Sequence, residues 1–262
     1  MPKFFIFGLI IFFSSCYNRR EACLDPFASN FDVTADDPCE QCCTDPLINV
    51  TIRHLAGDSL ISPSRVLINE LGQSYRILNF SYYLSGFRII KNDGSIVTVS
   101  QLLNLDSMNT VQQIPDDFAI YRLTNVNQTI GQNRNFGTYT GFEFILGLDS
   151  KVLVNQPKDL PLLHVLNDSL SLKTPDRRLA HQIITVATGD SPSEIQSYFI
   201  SGINSAVSFK MDSTFRNVRG TDINLIIKAD YSKWFENVDF TRQPSEVEKS
   251  ILENSKKLFS VN

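Results

Sequence analysis

The sequence predicts an all-β, mainly antiparallel protein: a β-sandwich or barrel-like body with long loops and a C-terminal helix, preceded by a small disulfide-rich module. Three observations predict it. Apolar and polar residues alternate at period two along several separate stretches, which marks strands with one buried face. No regular alternation of helices with those strands is present, which favours antiparallel pairing over βαβ units. Four cysteines fall between Cys23 and Cys43, and none follows.

Length and composition set the bounds. A chain of 262 residues can bury one large core, and 42% hydrophobic with 20% charged residues is a globular composition. A net charge of -4 leaves no basic stripe to neutralise phosphates, which argues against nucleic acid. Three segments follow: a signal over 1–15, a cysteine module over 16–45 and the main domain over 46–262.

The first segment gives an address. Lys3 precedes an apolar run, Phe4 to Phe13, and Ser14-Ser15-Cys16 comes next. Ten apolar residues are too few to cross a hydrocarbon core of about 30 Å, and they suit a cleaved export signal. Small residues before a cysteine resemble the bacterial lipobox, in which Cys16 becomes the acylated first residue; Phe13 stands where Leu is usual. The expectation is an exported lipoprotein anchored at the outer membrane, periplasmic or at the cell surface.

In an exported chain, Cys23, Cys39, Cys42 and Cys43 read as disulfides. A Cys23–Cys39 bond is expected, with Cys42 or Cys43 bonded to the main domain or free. A zinc site on Cys39 and Cys42 competes, but it lacks a second knuckle and a nearby His. The module also resembles a short repeat of exported Bacteroidetes proteins, through Cys23, Asp25, Pro26, Ala28, Asn30, Phe31, Asp36, Asp37 and Cys39. Asp25, Asp32, Asp36 and Asp37 do not fit an EF-hand and read as a solvated acidic loop.

The main domain opens with Leu47 to Leu55, where Ile48, Val50, Ile52 and His54 share one face. Phe80 to Ser100 reads as a hairpin around Lys91-Asn92-Asp93-Gly94, residues that suit a tight turn. Val99 to Asp117, broken by Pro115, reads as a long loop. Phe118 to Val126 reads as a strand and Asn127 to Gly137 as a loop. In the strand Thr138 to Ser150, Phe142, Phe144, Leu146 and Leu148 fall on one face. Lys151 to Arg178, with its prolines, suits an excursion across one end of the sheet. Leu179 to Ala187 predicts a strand and Ser193 to Phe199 a short helix. Ala206 to Asp212 and Thr221 to Tyr231 alternate as further strands. Near the end, Ser245 and Glu248 form a capping-box pattern, and Val247, Ile251, Leu252, Leu258 and Phe259 make the stripe of an amphipathic helix.

No nucleophile elbow, zinc-protease helix, phosphate loop or dinucleotide fingerprint occurs, so no catalytic residue is assigned and a non-enzymatic role is expected. Glu143, between Phe142 and Phe144, is expected to face solvent.

Four stretches carry a resemblance: INVTIRHLAGDSL, SYRILNFSYYLSGFRIIKNDGS, YTGFEFILGLDS and INLIIKADYSKWFENVDF. In content and order they resemble the MbnP-like family of exported β-rich proteins, named for a copper-binding periplasmic protein. The resemblance implies a β-sandwich, copper handling and a dihaem peroxidase-type partner that oxidises a Trp. His54 sits where the family's first strand commonly carries a His, and it is the one metal ligand transferred. The chain departs from the family at PKDLPLLHVLNDSLSLKTPDRRLAHQ and at Phe199-Ile200-Ser201-Gly202. Copper asks for two to four converging imidazole or sulfur ligands. The mature chain offers His54, His164 and His181 with Met108 and Met211, none paired by spacing. Trp234 is expected to pack. The alternative function is a protein- or glycan-binding module without metal.

Overall fold

The computed structural model describes residues 18–107, 110–189 and 194–261. Its principal strands, in chain order, are β1 (Leu47–Ala56), β2 (Ser74–Lys91), β3 (Ala119–Arg122), β4 (Asn127–Gln132), β5 (Gly137–Leu146), β6 (Ala180–Thr188), β7 (Glu194–Ser201), β8 (Val207–Asn217) and β9 (Ile223–Asp230). They form two facing sheets that do not close into a barrel. The larger runs β7-β6-β2-β5-β8 with β3 also on β2; the smaller runs β4-β1-β9 and ends on Phe259–Ser260. Pairing within both is antiparallel except between β1 and β9, which run parallel.

β2 is the spine. Tyr82 pairs with both Gln182 and Tyr121, and Leu84 pairs with both Leu146 and Ala119. Each residue has only two edges, so β6 and β5 lie end to end along one edge of β2, with β3 opposite. The expected hairpin at residues 91–94 forms, with Ile90 opposite Ile96.

Period-two alternation fills the space between the sheets. Ile48, Val50, Ile52 and His54 of β1 point inward, as do Phe142, Phe144 and Leu146 of β5. Phe80, Tyr82, Tyr121, Tyr231 and Trp234 stack in the middle of this core. Burying so many rings makes hydrophobic transfer the dominant stabilising term. On the outer face of β2, Tyr83 joins a second core with Leu105, Ile120, Leu148 and Leu172.

That second core corrects the loop expected over Val99 to Asp117. Strands Leu102–Ser107 and Thr110–Pro115 form a hairpin, with Leu103, Leu105 and Ile114 packed inward. Pro115 sits at its open end, where a missing N–H does little harm. Two other expectations are corrected. Asn127–Gln132 is a strand, because Thr129 and Asn127 bond to Asn49 and Thr51 of β1 while Ile130 is buried. Glu194–Ser201 is the strand β7, not a helix: β6 offers an open edge, and Tyr198 and Ile200 alternate into the core. The C-terminal helix Pro244–Asn254 forms, but without the expected capping box. Pro244 starts it, and Glu248 instead accepts the N–H of Phe199 at 2.8 Å, covering the edge of β7.

The cysteine module docks on one end of the sandwich. Phe27 lies beside Phe136 and beneath the guanidinium of Arg219, and Arg134 bridges Asp25 and Asp45. The backbone at Gly220 lies so close to the Ala28 carbonyl that a Cβ would sit 2.8 Å from it. The module's acids are paired: Asp32 with Arg20, Asp37 with Arg19, and Asp36 with the Arg20 N–H. The structure bonds Cys23 to Cys43 and Cys39 to Cys42, in place of the expected Cys23–Cys39 bond. The main domain has no cysteine to offer, so the module's own four sulfurs pair with one another.

Candidate functional site

The three histidines sit in three separate environments, and each has both ring nitrogens engaged. His54 is 4% exposed. Its Nε2 faces the Asn125 carbonyl at 3.3 Å, which can only accept, so Nε2 carries the proton. Its bare Nδ1 therefore accepts from the Tyr231 hydroxyl at 2.6 Å, and Tyr231 in turn accepts from Tyr82 at 2.8 Å. Burial lowers the pKa of His54 and raises those of both tyrosines, so the string is neutral.

His181 seals the junction where β5 hands the edge of β2 to β6. Its Nδ1 accepts the Leu148 N–H at 2.9 Å, and its Nε2 donates to the Gly202 carbonyl at 2.8 Å. Gly147 is required beside it: its φ is +117°, and a Cβ there would lie 2.5 Å from Nδ1. Burial lowers the pKa of His181 as well.

His164 lies in the excursion between β5 and β6. Nδ1 accepts the Leu166 N–H at 3.1 Å and Nε2 donates to Asp116 at 2.9 Å. A copper ion would need a bare imidazole nitrogen, and each of the three already accepts a hydrogen. Met211 is buried in the main core, and Met108 lies outside the described residues. The residues of the expected copper site therefore do not fit the ion. Trp234 is fully buried, with Nε1 donating to Ser255 at 3.1 Å, a packing position. Cys16 and the signal segment lie outside the described residues. Glu143 is half-buried on the outer face beside Arg88.

Two features were not singled out in the sequence. One is Asp117, which is buried and accepts the N–H groups of Gly86 at 2.9 Å and Phe87 at 2.6 Å. The register of β2 against β5 slips here, so Asp117 anchors a β-bulge. It borders a cavity of about 340 Å³ shared with Arg88, Ile114, Phe118, Ile145 and Lys151. Burial pushes its carboxyl up to about 7. An Asp beside a strand-forming Phe-Ala-Ile run was the only signal for it.

The other feature is the turn at 161–164. His164 N–H donates to Pro161 O at 2.9 Å, which places Leu162 and Leu163 at the tip, 83% and 85% exposed. The turn is held firmly. The Tyr83 hydroxyl donates to Val165 O and accepts from Leu172 N–H, both at 3.0 Å, pinning the two arms of the excursion to β2. Gln156–Pro157 adds a strand to the Leu102–Ser107 hairpin. Below the tip, a cavity of about 310 Å³ is lined by Leu47, Phe118, Ile130, Leu163, His164 and Val165, among others.

Among described residues no helix is long and apolar enough to cross a membrane. The MbnP family model matches residues 45–172, from the end of the cysteine module through the pinned excursion. Among solved structures, MbnP from Methylosinus trichosporium is similar at 12% identity, covering 73% of this chain and 78% of that one, with a TM-score of 0.40. No curated protein gives a match. The family match over residues 45–172, set in an antiparallel sandwich, supports an MbnP-like family for this chain.

Proposed function

We propose that this chain is an exported, lipid-tethered, non-enzymatic binding protein whose contact surface is the 161–164 turn. One observation carries the reading: two adjacent leucines stand almost fully exposed on a turn that is itself rigidly bonded. A loosely held apolar tip costs ordering entropy on binding, and a pinned one does not. Aliphatic tips suit an apolar protein surface; a glycan asks for exposed aromatic faces. The tether rests on the lipobox-like Ser14-Ser15-Cys16 and the signal-like stretch over 1–15, which support an anchor at the outer membrane, on its periplasmic or outer side.

A photo-crosslinking residue at position 163, expressed in the native membrane, tests the contact surface. One discrete protein adduct, lost on Leu162→Ser, is expected. Crosslinks to lipid alone, or none, would overturn the reading. Metabolic labelling with palmitate, with and without Cys16→Ser, tests the tether independently.

Family membership is the support for copper, and the donor set speaks against it. Copper loading followed by buffer exchange separates the two: metal-free protein is expected. Stoichiometric copper that disappears in His54→Ala would restore the family's ion, and with it the case for a dihaem peroxidase-type partner acting on Trp234.

A further inference from the structure

The two disulfides of the cysteine module differ in loop length and in how deeply their less exposed sulfur is buried. Cys23–Cys43 spans a sequence separation of 20 and buries Cys23 at 1% exposure. Cys39–Cys42 spans only 3, within a C-x-x-C sequence, and leaves Cys42 exposed and Cys39 half-buried. A short loop removes little entropy from the unfolded chain, so this second bond contributes less to holding the fold. The backbone around it is held by other means. The Cys39 N–H donates to Ala22 O at 3.1 Å, beside the pairing of Glu21–Ala22 with Asp37–Pro38. Asn30 brackets the other side, donating to Cys42 O at 2.6 Å and accepting from Thr44 N–H at 2.9 Å. With its ends fixed in this way, the pair stays within bonding distance when reduced.

Cys42 and Cys43 are both exposed, so an incoming thiolate can reach one sulfur of either bond. Attack at Cys42 releases the half-buried Cys39, whereas attack at Cys43 would have to release a thiolate on the buried Cys23. The Cys43 sulfur lies within 4.8 Å of those of Cys39 and Cys42, so exchange reaches the buried Cys23 only through Cys43.

We propose that Cys39–Cys42 is an exchange-active disulfide whose substrate is a dithiol, of the kind a C-x-x-C protein presents, while Cys23–Cys43 is a permanent staple. A thiolate of the dithiol attacks Sγ of Cys42; the S–S bond breaks and its electron pair leaves on Cys39 as a thiolate. The dithiol's second thiol loses its proton to solvent and attacks its partner sulfur in the mixed disulfide, releasing Cys42 as a thiolate. Two electrons pass to this chain, the dithiol becomes a disulfide, and both new thiolates take protons according to pH.

The mature protein carrying Cys16→Ser is equilibrated with graded ratios of reduced to oxidised dithiothreitol, alkylated, and mapped by peptide mass. Cys39 and Cys42 are expected to label together, at a ratio at least tenfold lower than Cys23 and Cys43, with the thermal midpoint unchanged. Labelling of all four at one ratio, or of Cys23 and Cys43 first, would overturn the proposal. A reduced C-x-x-C protein supplied as dithiol is expected to be oxidised by this chain, and Cys42→Ser should abolish that turnover. Retention of the turnover sinks the idea. The Cys39→Ser/Cys42→Ser double variant is expected to melt as the parent does; melting as low as Cys23→Ser/Cys43→Ser would make both bonds structural and defeat the proposal.

Discussion

His54 and His164 make the same two kinds of hydrogen bond and do opposite things. Around His54, every polar atom is turned inward: a carbonyl from the β3–β4 turn, a tyrosine from the end of β9 and a second tyrosine from β2 close a neutral string inside the aromatic core. Around His164, the same use of both nitrogens stiffens a surface turn and pushes two leucines into solvent. The residue that family likeness singles out is closed off. The turn that carries Leu162 and Leu163 is open. Within one fold, then, the His54 ring is tied into the core of the sandwich, and the exposed leucine pair lies outside it.

The sharpest way to break this contrast is at His54. Replacing it with Ala leaves the Tyr231 hydroxyl and the Asn125 carbonyl without their partner and opens a hole among stacked rings. A loss of about 3 kcal/mol is expected in urea unfolding, the sum of a cavity and a stranded polar group. A loss under about 0.5 kcal/mol would show that the interior does not depend on the ring, and the contrast would fail.

Asp117 sharpens it from another side, through pH. Its carboxyl is raised to about 7 in the folded chain from 3.8 in the unfolded one, so between those values the folded state holds the extra proton. Stability from this group therefore falls as pH rises from about 4 to about 7, with a slope of up to about 1.4 kcal/mol per unit. His54 and His181 act in the opposite sense: their lowered pKa values make the unfolded chain the better proton binder, so they withdraw stability as pH falls below 6.5. In Asp117→Asn only the first contribution disappears. The difference between variant and parent should move in the variant's favour from pH 4 to pH 7, and a difference flat across that range would contradict the burial argument.

Tyr83→Phe should cost about 1–2 kcal/mol, because it strands Val165 O and the Leu172 N–H under the excursion. Hydrogen exchange at Leu172 is the direct readout. Unchanged protection there would mean the excursion is held by its apolar underside alone.

Much of the sandwich was readable because period-two alternation is a local signal: Ile48-Val50-Ile52-His54 and Phe142-Phe144-Leu146 face inward as their spacing requires. What failed was decided by partners distant in sequence. Asn127–Gln132 carries loop residues and becomes a strand only because Asn49 and Thr51 meet it from 76 to 80 positions away. Ser193 to Phe199 read as a helix until the open edge of β6 claimed it. The four cysteines could be counted but not connected, since connectivity depends on which sulfurs the docked module brings together. His54 was rightly placed on the inward face, but nothing in β1 announces Tyr231, 177 positions on, as the group that occupies its nitrogen. Leu162 and Leu163 were legible only as two apolar letters in a proline-broken stretch; their exposure follows from the Pro161–His164 turn, a tertiary fact.

The smallest stability effect is the one that separates the two regions most cleanly. Leu162→Ser with Leu163→Ser removes side chains that touch mostly water, so unfolding should change by no more than about 0.5 kcal/mol. If the pair serves only as a cap on the cavity over Leu47 and Ile130, the loss should instead approach that of a buried leucine, about 2 kcal/mol or more. A stable double variant, together with loss on Leu162→Ser of the crosslink from position 163, would mean that apolar area was kept on the surface for a partner and not for the fold. That is the reverse of what His54→Ala should show, where stability falls and contact is untouched.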